Sequence, residues 1–263
     1  MDLHLKEKRA LVTGASRGLG YALALGLARE GCQVVINSRD EGRIKAAAET
    51  IARETGSQVI GLAGDVTGPD EPTKLVHRAA EALGGLDLLV TNAGGPSAGL
   101  FESLDEAAWA KAIDLSLMSH VRLIKAALPY LKQSKAASVL TITSYSVKQP
   151  IPNLVLSNSV RAATVGLTKS LALELGKDGI RFNSILPGWT ETERVYELMS
   201  FRAQQNGTSV EEEIAKQSQD SPLGRMGRPE EFANAAVFLL SPAASYITGV
   251  MLNVDGGMYK GTL

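Results

Sequence analysis

Ala10-Leu11-Val12-Thr13-Gly14-Ala15-Ser16-Arg17-Gly18-Leu19-Gly20 is a short apolar run that meets three glycines, and a helical pattern follows at once over 21–30. Strand, tight turn, helix is the order a dinucleotide's diphosphate requires. Backbone must approach the pyrophosphate closely, where a Cβ would obstruct it. The helix behind aims unpaired N–H groups and a partial positive charge at the phosphates. The spacing Gly14-x3-Gly18-x-Gly20 departs from the commoner G-x-G-x-x-G. Its place after a strand and before a helix favours a cofactor loop over a glycine-rich loop with no ligand.

The alternation continues along the rest of the chain. Apolar runs at 9–13, 33–37, 58–63, 86–91, 138–143, 180–186 and 250–254 read as strands. Helical patterns fall between them at 18–30, 40–54, 71–83, 106–131, 156–176 and 230–240, with Pro129 marking the end of the fourth. Such alternation predicts an α/β fold, a doubly wound parallel sheet of about seven strands with helices on both faces. Ligands then sit beyond the carboxyl ends of the strands, where the strand order reverses. Residues 190–222 break the pattern: polar, charged, helical in propensity and interrupted by Gly207, they read as an inserted lid. No linker is visible, so residues 1–263 read as a single domain.

Bulk properties bound the function. The net charge of −1 supplies no basic field for nucleic acid or an anionic membrane surface. No apolar run is long enough to span a bilayer. The single cysteine, Cys32, excludes an intrachain disulfide framework and fits a reducing cytosol. Residues 1–9 are polar with no secretory h-region, so a cytoplasmic location is expected. No metal site is expected.

Thr13-Gly14-x3-Gly18-x-Gly20, Asp65-Val66, Asn92-Ala93-Gly94, Ser144, Asn183, Pro187-Gly188 and Asp255-Gly256-Gly257 follow one another along the chain. On these residues the chain resembles the classical short-chain dehydrogenase/reductases over nearly its whole length. Each is weak alone; their order and spacing are strong together. The resemblance implies a Rossmann-type domain, a nicotinamide dinucleotide, a small carbonyl or alcohol substrate, and a homotetramer. It places the cofactor on Gly14, Ser16, Arg17, Gly18, Leu19 and Gly20. Asp65 and Val66 are expected to flank the adenine, and Asn92, Ala93 and Gly94 to lie against the ribose. Pro187 and Gly188 bend under the nicotinamide, with Thr190 and Thr192 near its carboxamide and the phosphates.

The end of the second strand bears on cofactor choice. A fold that prefers NAD usually ends its second strand on an acid that holds the ribose 2′-OH. Here that end reads Ile36-Asn37-Ser38-Arg39, and the first acid, Asp40, comes one position late. Arg39, with Ser38 beside it and Arg17 opposite, presents a fork of donors to a 2′-phosphate. NADP is therefore favoured, with NAD as the alternative.

The catalytic set departs from the family. The Ser position is filled by Ser144, but the Tyr thirteen residues on is Ser157, and the Lys four later is Arg161. The Asn expected seven residues after Trp109 is Ser116. A phenol with a pKa of about 10 can be drawn toward neutrality; an alkyl hydroxyl cannot. Arg161 stays protonated and can orient or stabilise but not relay a proton. Tyr145, with Lys148 in the same loop, is the candidate replacement acid; the plainer reading is that it packs under the loop. His120 reads as a packed helical histidine. Arg194, opening the lid, is a candidate for an acidic or phosphorylated substrate, or simply a surface charge. The expected activity is hydride transfer between a nicotinamide and a carbonyl or alcohol. The alternatives are a non-catalytic NADP-binding protein and, less favoured because Gly14, Gly18 and Gly20 remain, a cofactor-free lyase of the halohydrin-dehalogenase type.

Overall fold

A computed structural model describes residues 1–262. Seven parallel strands form one sheet: β1 (Arg9–Val12), β2 (Gln33–Ser38), β3 (Val59–Ala63), β4 (Leu88–Thr91), β5 (Ser138–Ile142), β6 (Arg181–Pro187) and β7 (Met251–Val254). Their order is β3-β2-β1-β4-β5-β6-β7. The direction of growth reverses between β1 and β4, which leaves a crevice at their carboxyl ends.

Period-two alternation splits the apolar strand residues between two helix layers. Ala10, Val12, Val34 and Ile36 face one way, onto α1 (Gly18–Arg29), α2 (Glu41–Thr55) and α9 (Pro229–Leu240). Leu11, Val35, Leu89 and Val139 face the other way, onto α3 (Glu71–Leu83), α5 (Ser119–Leu131) and α6 (Val155–Leu175). Each helix brings a matching stripe: Ile44, Ala47, Ala48 and Ile51 are the buried positions of α2. Asp40 starts that helix by accepting from the Arg43 N–H at 2.9 Å, and Gly56 ends it at φ +72°.

The expected helix at 106–131 is interrupted. It comprises α4 (Glu106–Ile113), a π turn at Asp114–Met118, and α5. The Thr164 hydroxyl, on α6, donates to the Ser116 carbonyl and draws that oxygen out of the α ladder. Pro129 lies within the last turn of α5. The segment after β6 contains α7 (Glu193–Asn206) and α8 (Val210–Gln219), joined at Gly207. A capping box at Ser209 and Glu212 starts α8. No helix among the described residues is long and apolar enough to cross a membrane.

Candidate functional site

Thr13 and Asn92 stitch β1 to β4 at the switch point. Thr13 Oγ1 donates to the Asn92 carbonyl at 2.7 Å, and the Asn92 N–H donates back to Thr13 Oγ1 at 2.9 Å. Asn92 Nδ2 donates to the Gly14 carbonyl at 3.0 Å. A Cβ at Gly14 would sit 2.8 Å from the Asn92 carbonyl oxygen, and Gly14 has φ +59°. The turn is therefore specified twice, by backbone conformation and by the side chain it abuts. Asn92 thus acts as a strap between strands, and its position also borders the crevice.

Two adjoining cavities fill that crevice. The larger, about 1070 Å³, is lined by Gly14, Ser16, Arg17, Ser38, Arg39, Asp65, Val66, Asn92, Ala93 and Gly94. Asp65 there accepts from the N–H and hydroxyl of Thr67, at 3.0 and 2.8 Å, which shapes the loop after β3. Arg39 is exposed at the rim, and Ser38 Oγ donates to the Asp40 carbonyl at 3.2 Å. Arg43, in the first turn of α2, joins them as a second guanidinium. Reading the second strand's end alone misses it; three residues after Asp40, on a helix that starts at the crevice, is the signal that finds it.

The smaller cavity, about 340 Å³, is lined by Gly18, Leu19, Ser144, Tyr145, Ser157, Arg161, Pro187, Gly188, Thr190 and Thr192, and shares Gly14, Arg17 and 92–94 with the first. A Cβ at Gly188 would lie 2.7 Å from the Asp255 Cα, which explains why Pro187-Gly188 and the terminal Asp255-Gly256-Gly257 occur together. Thr192 precedes α7 and lies beside Gly18, so that helix begins over the phosphate turn. Gly20 lines neither cavity; its α-carbon packs against the Gly14 backbone. Ser116 also lines neither: it is 1% exposed within the π turn, and its hydroxyl has no hydrogen-bond partner among the described residues. The structure thus gathers the expected residues around one crevice, Gly20 and Ser116 excepted.

Arg161 is buried. Its Nη1 donates to the carbonyls of Ile142 and Thr143, at 3.3 and 3.1 Å, and its Nη2 to the Gly94 carbonyl at 3.5 Å. Burial lowers its pKa to about 10, and Arg194 pushes the same way. It remains a cation at neutral pH. Ser157 precedes it by one helical turn and is half-buried. Ser144 Oγ accepts from the Ser146 N–H at 3.1 Å, which leaves its own proton free to donate.

Tyr145 does not gain the cation that would make it acidic. It packs with Ile151, Trp189, Met199, Met226 and Met258, and burial pushes its phenol above the usual value. Lys148 is exposed and lies over the Tyr259 ring, 5.3 Å from its centroid. His120 is buried with Nδ1 2.6 Å from Thr91 Oγ1, and burial, then Arg161, lowers its pKa to about 3. It stays neutral behind the site.

The family model described as enoyl-(acyl carrier protein) reductase matches residues 14–259. The chain is 33% identical over 258 residues to 3-oxoacyl-[acyl-carrier-protein] reductase FabG of Chlamydia muridarum, covering 98% of this chain and 100% of that protein. It is 34% identical over 254 residues to dehydrogenase/reductase SDR family member 4 of Bos taurus, covering 96% of this chain and 88% of that protein. Among solved structures, L-sorbose reductase from Gluconobacter frateurii, complexed with NADPH and L-sorbose, matches with a TM-score of 0.95 at 32% identity, covering 99% of this chain and 100% of that one. A 7α-hydroxysteroid dehydrogenase complexed with NADH matches with a TM-score of 0.88 at 32% identity, covering 97% and 96%. The switch-point crevice, the strapped glycine turn and these likenesses lead to one conclusion: the chain belongs to the short-chain dehydrogenase/reductases, NAD(P)-dependent oxidoreductases of Rossmann-type fold.

Proposed function

We propose that the protein is an NADP(H)-dependent reductase or dehydrogenase of a small carbonyl or alcohol, working with Ser144, Ser157 and Arg161 where the family pattern calls for a phenol and an amine. The observation that carries it is the buried guanidinium of Arg161, held on the carbonyls of Ile142, Thr143 and Gly94 beside Ser144 and Ser157.

The residues fit the cofactor. The Gly14 turn, held free of a Cβ by its contact with Asn92, lines the larger cavity, which continues from it to Arg39 and Arg43. Arg39, Arg43 and Arg17 around one end support a 2′-phosphate, hence NADP over NAD. Asp65 and Val66 would border the adenine, 92–94 the ribose, and Thr190 and Thr192 the carboxamide side. When bound, the nicotinamide supplies or receives the hydride.

The chain's own residues do the rest. Ser144 donates a hydrogen bond from its free hydroxyl to the substrate oxygen and orients it, and the proton that completes the alcohol is drawn from water, because an alkyl hydroxyl is too weak an acid to give it up. Arg161 places a fixed positive charge where negative charge develops on that oxygen. Ser157 offers a second hydroxyl from the same helix face. Residues 190–222 form a lid, with α7 starting over the turn. Ile113 and Leu173, 40% and 76% exposed on α4 and α6, support a homo-oligomer, here proposed as a tetramer. The proposed location is the cytoplasm.

The test combines calorimetry with NADPH and NADH and a ketone panel followed by NADPH absorbance. Turnover of at least one ketone is expected, with Ser144→Ala losing about a hundredfold in kcat at unchanged NADPH affinity. A second reading, a non-catalytic NADP-binding protein, has its own observation: neither Tyr145 nor Arg161 is tuned to exchange a proton near neutral pH. Tight nucleotide uptake with no turnover across the panel establishes that reading instead.

A further inference from the structure

We propose that the substrate carries a carboxylate, received jointly by Arg161 and Arg194 beside Gly95; this rests on the reading above that a nicotinamide nucleotide binds at the Gly14 turn.

Three observations carry it. The first is convergence. A Cβ built on Gly95 would lie 3.7 Å from Nη2 of Arg161 and 3.9 Å from Nη2 of Arg194. One guanidinium comes from α6 and the other from α7, and both line the smaller cavity. Like charges brought to one point from two elements repel unless an anion lies between them.

The second is the state of Arg161. Its donors meet three carbonyl oxygens, which leaves two of its five N–H groups without a partner among the described residues. None of the ion pairs among the described residues includes it. A buried cation held only by carbonyl dipoles is costly, and an anion reaching it is bound the more strongly for its low-dielectric setting.

The third is charge balance at the cavity mouth. Arg17 and Arg194 share one carboxylate, Glu197, at 3.5 and 3.7 Å. All three partners are about half exposed, so these pairs are weak and easily exchanged. Glu193 is the acid that lines the cavity, against Arg17, Arg161 and Arg194. The site is therefore positive before any ligand enters. A planar carboxylate suits two guanidinium forks, with N···O distances of about 2.8 Å.

The rival anion for Arg194 is the nucleotide's own diphosphate, so the test separates the two. Wild-type protein is first titrated with NADP⁺ and with NAD⁺ by calorimetry. The nucleotide-saturated protein, which cannot reduce a ketone, is then titrated with oxalate, pyruvate and phenylpyruvate, and with acetone and phenylacetone as neutral counterparts. The expected result is binding of at least one carboxylate, about tenfold or more tighter than its neutral counterpart. Arg194→Gln should lose about tenfold of that affinity with nucleotide affinity unchanged. Binding of no carboxylate, equal binding of the neutral ketones, or an Arg194→Gln defect in nucleotide affinity itself overturns the proposal. No uptake of either nucleotide in the first titration overturns the cofactor reading, and this proposal with it.

Discussion

Arg161 Nη1 donates to the Thr143 carbonyl at 3.1 Å, tying α6 to the chain just past β5. The same guanidinium reaches the Gly94 carbonyl beyond β4. One side chain thus braces the loops after two neighbouring strands. A lysine ammonium is a point charge on a shorter reach and cannot hold both. Arg161→Lys, although it restores the family's usual residue, should lower stability by about 2 kcal/mol. Urea unfolding measures this; an unchanged midpoint at unchanged slope would remove the bracing role.

The arginines at the far end of the larger cavity set the next expectation. Arg39 is exposed, and Arg43 is held by Asp40 at 3.5 Å. Neither carries a core contact that its loss would break. Arg39→Glu replaces a donor fork with a charge that repels a 2′-phosphate. NADPH affinity should fall about tenfold to a hundredfold, with NADH affinity held or improved. Paired titrations decide it: equal losses for both nucleotides place Arg39 on a shared part of the cofactor.

Most of the fold was legible in the chain because its signals are local. The central strands carry unbroken, fully buried apolar runs at 10–12, 34–36 and 88–90, as expected for strands buried on both faces, and glycines punctuate the turns. The break read at Gly207 is where α7 ends, and α8 starts just after it. The cofactor end of the site was legible for the same reason. The π turn at Asp114–Met118 was not, because its cause is a hydroxyl on another helix, Thr164. Arg194 was legible as a charge, but its meeting with Arg161 at Gly95 joins residues far apart in sequence. Tyr145 beside Lys148 suggested an acid and its cation, yet tertiary packing turned one inward and left the other outside.

That packing makes Tyr145 dispensable for proton transfer. Its phenol is pushed up, by burial first, among methionine and tryptophan side chains. Tyr145→Phe removes the hydroxyl and keeps the ring. Activity should stay within about threefold of wild type, below a 1 kcal/mol change in barrier. A loss comparable to that of Ser144→Ala would return the phenol to the reacting centre.

Protonation of His120 gives the fold a pH dependence with a defined window. Its pKa is lowered to about 3 by burial and by Arg161, against an ordinary value of 6.5. Between those values the unfolded chain binds a proton that the folded chain refuses. Stability from this residue is therefore complete above pH 6.5 and declines as pH falls toward 3, by up to about 1.4 kcal/mol per pH unit. The carboxylates act lower. Glu213, bonded to Thr208, Asn206 and Lys216, and Glu231, bonded to Arg225, are held at about 2 against 4.5. Their stabilisation is present above pH 4.5 and is lost as pH falls through 2. The interval from 6.5 to 4.5 thus isolates the histidine. His120→Gln keeps a polar partner for Thr91 without the titration, and should flatten the decline of unfolding free energy across that interval. If the variant and wild-type curves run parallel there, the proton is taken up elsewhere.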